Sequence, residues 1–79
     1  MTIKMNGRLL RIDPNKVCGV GRRKDTNRLC FGMYNRDLVY IDLPTNITSE
    51  GIDKIMKTLA QALENDWKIV DLDAVLKEL

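Results

Sequence analysis

Over the first 44 positions short apolar runs alternate with polar ones and are broken by turn residues, and after Pro44 the apolar spacing becomes three and four. The first pattern is that of strands and the second that of an amphipathic helix. Asn6-Gly7 separates Thr-Ile-Lys-Met from Arg-Leu-Leu-Arg-Ile. That pair accepts the positive φ angles of a two-residue type I′ turn, so a hairpin opens the chain. Asp13-Pro14-Asn15 supplies the next turn and a third strand starts at Val17. It runs into a polar tip, and a fourth strand covers Arg28 to Tyr34. Asn35-Arg36-Asp37 turns once more, and a fifth strand, Leu38 to Leu43, stops at Pro44, which has no N–H to give a ladder.

One register places the apolar residues of these strands on a common face. Closing the third hairpin with Lys24 to Asn27 sets Cys18 against Met33, Val20 against Phe31 and Arg22 against Leu29. The next hairpin then sets Met33 against Val39, Phe31 against Ile41 and Leu29 against Leu43. The opposite face carries Val17, Gly19, Gly21, Cys30, Gly32, Tyr34, Leu38, Tyr40 and Asp42. Because the side-chain period is two, a slip of one residue would exchange the two faces.

Beyond Pro44, Ile52, Ile55, Met56, Leu59 and Leu63 form one stripe of a helix. Thr48 is its expected N-cap, Ile47 and Ile52 its hydrophobic staple, and Asn65-Asp66 its end. Trp67 to Val70 is a short extended piece, followed by Asp71 as a second N-cap and a stripe of Leu72, Val75, Leu76 and Leu79. A sheet with one apolar face and a helix with one apolar stripe match as two layers. The expected fold is therefore α+β: a twisted antiparallel meander of about five strands, with one long helix on one face and a short C-terminal helix. The layout of hairpin, strands and capped helix is similar to that of small flagellar-operon proteins, a likeness of element order that carries no function with it.

Composition narrows the function classes. With 79 residues, 44% of them apolar, the chain supports one core and reads as a single domain over 1–79. Residues 1–44 hold nine Lys/Arg against four Asp, giving +5, while 45–79 hold four against seven acids, giving −3. A basic sheet half thus precedes an acidic helical half. There is no His, and the two cysteines cannot assemble a metal site, so neither metal nor cofactor is expected. No apolar run approaches a membrane span and no secretory signal opens the chain, which points to the cytoplasm and away from disulfides. At this size a homodimer is an expected aid to stability.

Catalysis has no obvious carrier. Cys18 is expected in the core as an inert thiol, and Cys30 on the outer face lacks an acid or base beside it. Asp71 and Asp73 belong to a helix start. The chain is therefore read as a non-catalytic protein-binding or regulatory module of adaptor or inhibitor type. Its expected contact surface is the glycine-rich face, with Val17, Gly19, Cys30, Gly32, Tyr34, Leu38 and Tyr40, and the sheet edge; its partner is another protein or a second copy. On that face Tyr40 is expected beside Gly32, covering the space that glycine leaves. The alternative is nucleic-acid binding, with Arg22, Arg23, Lys24 and Arg28 on phosphates.

Overall fold

A computed structural model describes residues 1–23 and 25–78; Lys24 and Leu79 lie outside the described residues. The fold is α+β, with six strands in two three-stranded sheets, a long helix and a short C-terminal one. Strands β1 (Thr2–Met5) and β2 (Arg8–Arg11) form the first hairpin. Asn6 and Gly7 at its tip have φ of 54° and 74°, the paired positive angles of a type I′ turn. A 3₁₀ turn, Pro14–Lys16, follows, capped by the Asp13 carboxylate accepting from the Asn15 N–H at 3.0 Å.

Strands β3 (Val17–Arg23), β4 (Arg28–Met33) and β5 (Leu38–Asp42) form an antiparallel meander. Its pairing has the expected parity, with two departures. Val20 opposes Phe31 and Arg22 opposes Leu29 as expected, but the register shifts between Val17 and Gly19, and Val17 opposes Met33. This bulge turns Val17 to the core and leaves Cys18 exposed, reversing the placement expected for both. The larger apolar side chain is thereby the one packed, half-buried, against the core. At the β4–β5 turn the Met33 N–H donates to the Asp37 carbonyl at 2.9 Å, and Arg36 has φ 71°. The three-residue loop thus lies one position earlier than expected, at Tyr34-Asn35-Arg36, and Phe31 opposes Val39, Leu29 opposes Ile41 and Tyr40 opposes Cys30, two positions from the predicted partners. A shift of two keeps every side chain on its face.

Helix α1 (Ser49–Glu64) begins where its cap was read: the Thr48 hydroxyl accepts from the Gly51 N–H at 3.0 Å. It ends at Asn65 with Asp66 at φ 56° and the Trp67 N–H donating to the Ala62 carbonyl at 3.0 Å, a Schellman-type closure. The extended piece that follows is strand β6 (Ile69–Asp71), which lies parallel to β1 and makes β1 the middle strand of its own sheet, in the order β2–β1–β6. Helix α2 (Leu72–Lys77) starts on Asp71, whose carboxylate accepts from the Ala74 N–H at 3.0 Å. Asp73 has a different task from the capping expected of it. Its two oxygens accept from the Asn6 N–H at 2.5 Å and the Gly7 N–H at 3.1 Å, fastening the helix to the first hairpin tip.

The core joins both sheets to the helices through Ile3, Met5, Leu29, Phe31, Ile41, Leu43, Ile55, Leu59, Val70 and Leu72, all buried. Val20, Met33 and Val39 pack against it half-buried. Gly19 and Gly32 sit opposite one another in the ladder, outside this core.

Candidate functional site

The outer face of the β3–β4–β5 sheet is built by alternation. Since Leu29, Phe31 and Ile41 point inward, Arg28, Cys30 and Gly32 on β4 and Leu38, Tyr40 and Asp42 on β5 point outward. On β3, Gly19 and Gly21 are exposed, and a Cβ placed on either would meet nothing within 4 Å. The neighbour of Gly32 is the Cys18 sulfur, 3.5 Å from where a Cβ would stand, and not the Tyr40 ring. Tyr40 lies beside Cys30 because of the two-residue shift.

Leu38 is 53% exposed on this face, and Tyr34, just past the end of β4, is 72% exposed. Cys30 is half-buried, and both cysteines are free thiols. The predicted residues are therefore brought together with one exception: Val17 belongs to the core side of the bulge.

The β5 edge is open, as the ladder pattern requires. The Leu43 N–H donates to the Asn27 carbonyl at 3.1 Å and the Met33 N–H to the Asp37 carbonyl at 2.9 Å. In an antiparallel pair, alternate residues bond the neighbour and the others turn their backbone groups away. Val39 and Ile41 thus bond β4, whereas Leu38, Tyr40 and Asp42 direct N–H and C=O to the free edge.

Three arginines gather at this edge. The Arg23 Nη1 donates to the Tyr40 hydroxyl at 3.2 Å, and the guanidinium carbons of Arg23 and Arg28 stand 6.0 and 5.9 Å from the Tyr40 ring centre. Both contacts are of cation–π type. The Arg28 Nε donates to Asp42 at 3.0 Å, and Arg8 Nη1 from β2 reaches the same carboxylate at 4.0 Å. Arg23 is also 3.8 Å from Asp25. Its guanidinium is held above its ordinary value, first by the hydrogen bond to Tyr40 and then by the charges of Tyr40 and Asp25. Arg22 donates to the Asn27 side chain at 3.1 Å, and Asn27 in turn donates to the Pro44 carbonyl at 3.0 Å. Lys24, the remaining cation of the predicted nucleic-acid set, lies outside the described residues.

Two further surface features were not named from the hydropathy pattern. Arg8 joins the cluster because β2 and β5 line one cleft of about 360 Å³ with Arg28, a contact between hairpins that the sequence pattern treats as separate. On the β2–β1–β6 sheet, Ile69 is 72% exposed and Leu9 67%. Here a signal existed: with Val70 buried, alternation along β6 turns Ile69 outward. Among the described residues no group of three or more His, Cys, Asp or Glu could hold a metal ion, and no helix is long and apolar enough to cross a membrane.

Comparison of the chain with protein families, with curated proteins and with solved structures finds no match.

Proposed function

We propose that this chain is a non-catalytic protein-binding module of the adaptor or inhibitor type, acting in the cytoplasm through the outer face of β3–β4–β5 and the β5 edge. The observation that carries this reading is that Leu38, Tyr40 and Asp42 serve both surfaces at once. Their side chains stand on the outer face and their backbone groups line the open edge. A partner strand at such an edge gains main-chain hydrogen bonds, and side-chain contacts on the adjoining face select among partners. Open space over Gly19 and Gly21 lets a second backbone come close.

Leu38→Glu tests the reading. The side chain is exposed, so stability should change by no more than about 0.5 kcal/mol, while a charge enters the apolar part of the surface. Wild-type protein is expected to retain a defined partner from host lysate that Leu38→Glu loses, with reconstitution from the two purified proteins as the check. Equal retention by both forms contradicts the surface. A second copy of the chain is the alternative occupant, and light scattering of the pure protein separates the two.

Nucleic-acid contact through Arg22, Arg23, Lys24 and Arg28 is a second reading, supported by the stacking of Arg23 and Arg28 on Tyr40. It is weakened by the bonds that already engage those arginines, to Asn27, Asp25, Tyr40 and Asp42. It requires oligonucleotide affinity that falls steeply with salt.

A further inference from the structure

Arg23 and Arg28 stand directly opposite one another on β3 and β4, on the outer face of the sheet. Like charges in that position repel and destabilise the pair. The two guanidiniums lie against one ring, that of Tyr40, and with Thr26 they line a concavity of about 240 Å³. Its lining carries two positive charges and no acid.

The acids nearby meet these arginines at Nε. Asp42, which Arg8 approaches at 4.0 Å, accepts from the Arg28 Nε at 3.0 Å, and the Asp25 carboxylate stands 3.8 Å from the Arg23 Nε. The Arg23 Nη1 is bonded to the Tyr40 hydroxyl, whereas the Arg23 Nη2 and both Arg28 Nη groups have no hydrogen-bond acceptor among the described residues. The Tyr40 hydroxyl, accepting from Arg23, keeps its own proton to donate. Thr26 adds a second hydroxyl from a tip that Asn27 ties down, its side-chain amide donating to the Leu43 and Pro44 carbonyls at 3.4 and 3.0 Å.

We infer that Arg23, Thr26, Arg28 and Tyr40 form a binding site for a phosphate monoester dianion. Terminal guanidinium N–H groups match the oxygens of a phosphate in spacing and charge. A dianion held by both arginines offsets the repulsion that their cross-strand position creates. A monoester carries close to two charges at neutral pH, and a nucleic-acid phosphate carries one, so the paired arginines suit the monoester. Arg22, the next cation along β3, is turned to Asn27 at 3.1 Å and does not extend the site into a track. The site lies on the proposed contact surface but does not depend on the protein-binding reading.

The test is an amide-resolved NMR titration of the full chain, at fixed ionic strength, with a capped phosphoserine tripeptide, its unphosphorylated form and its methyl phosphodiester. The phosphopeptide is expected to shift the Thr26, Arg28 and Tyr40 amides to saturation, and the unphosphorylated peptide to leave them in place. The diester, with one charge fewer, should bind at least about threefold more weakly. Arg28→Gln should lower affinity about tenfold, and Arg28→Lys, which keeps the charge but loses the fork, about threefold. Lys57→Gln removes the same charge from the exposed side of α1 and should stay within about twofold. Circular dichroism confirms that each variant is folded. Absence of a saturable shift, equal binding of the diester, or equal losses from Lys57→Gln and Arg28→Gln overturns the site. Tighter binding at these amides by a single-stranded oligonucleotide without terminal phosphates also overturns it and gives the arginines to nucleic acid. Glycerol 3-phosphate separates the sources: affinity equal to that of the phosphopeptide makes the phosphate group the whole ligand, and weaker affinity adds the flanking peptide, the site standing in both cases. The Leu38→Glu capture decides the protein-binding reading separately.

Discussion

Phe31→Ala is expected to remove a large part of the chain's stability at 25 °C. Phe31 is fully buried on β4, between Val20 on β3 and Val39 on β5, in the cluster that also holds Ile55 and Leu59 of α1. Truncating a buried Phe to Ala typically costs about 3–5 kcal/mol, from lost transfer free energy and from the cavity left behind. At roughly 0.05–0.15 kcal/mol per residue, a chain of this length is stable by only about 4–12 kcal/mol, so one truncation consumes much of that margin. Urea unfolding followed by circular dichroism measures it. A loss below about 1 kcal/mol would mean that the ring is not enclosed as described.

Ile3→Ala is the second large effect, expected at about 2–5 kcal/mol. Ile3 sits in the middle strand of the β2–β1–β6 sheet, opposite Leu10 on one side and Val70 on the other, and is fully buried. Its loss loosens both neighbours, and with them α2, whose Leu72 shares the cluster and whose Asp73 holds the first hairpin tip. Neighbouring Lys4 is exposed on the same strand. Lys4→Ala, measured in the same urea series, should stay within about 0.5 kcal/mol. Comparable losses at both positions would contradict the orientation of β1.

Local chemistry was legible at the first turn and at the helix ends. Asn6-Gly7 adopts the positive φ angles its residues favour, Thr48 and Asp71 cap the helices that follow them, and Asp66 takes the left-handed position that closes α1. The faces of β4 and β5 were legible too, since parity is set by Leu29, Phe31 and Ile41 and survives a register error of two. What alternation does not encode is an extra residue. At Cys18 the ladder bulges so that Val17 enters the core, and the strand pattern Val-Cys-Gly-Val accommodates either arrangement.

The division into two sheets was not legible either. Whether the first hairpin continues into β3 or pairs with β6 depends on contacts between residues some 67 positions apart, such as Thr2 with Ile69. A three-residue strand reads as an extended piece, but its pattern is too short to name β1 as its partner. The same long-range packing brings Arg8 to Asp42 and creates the cleft. The outer-face residues could therefore be named from spacing, while the β2 wall of the cleft could not.

The most direct test of the open β5 edge is amide hydrogen exchange on the free protein. The Val39 and Ile41 amides are expected to be protected and those of Leu38, Tyr40 and Asp42 to exchange fast, with Phe31 among the slowest. Protection at Tyr40 and Asp42 with rapid exchange at Ile41 would place the other set of backbone groups on the edge and contradict the proposed binding surface.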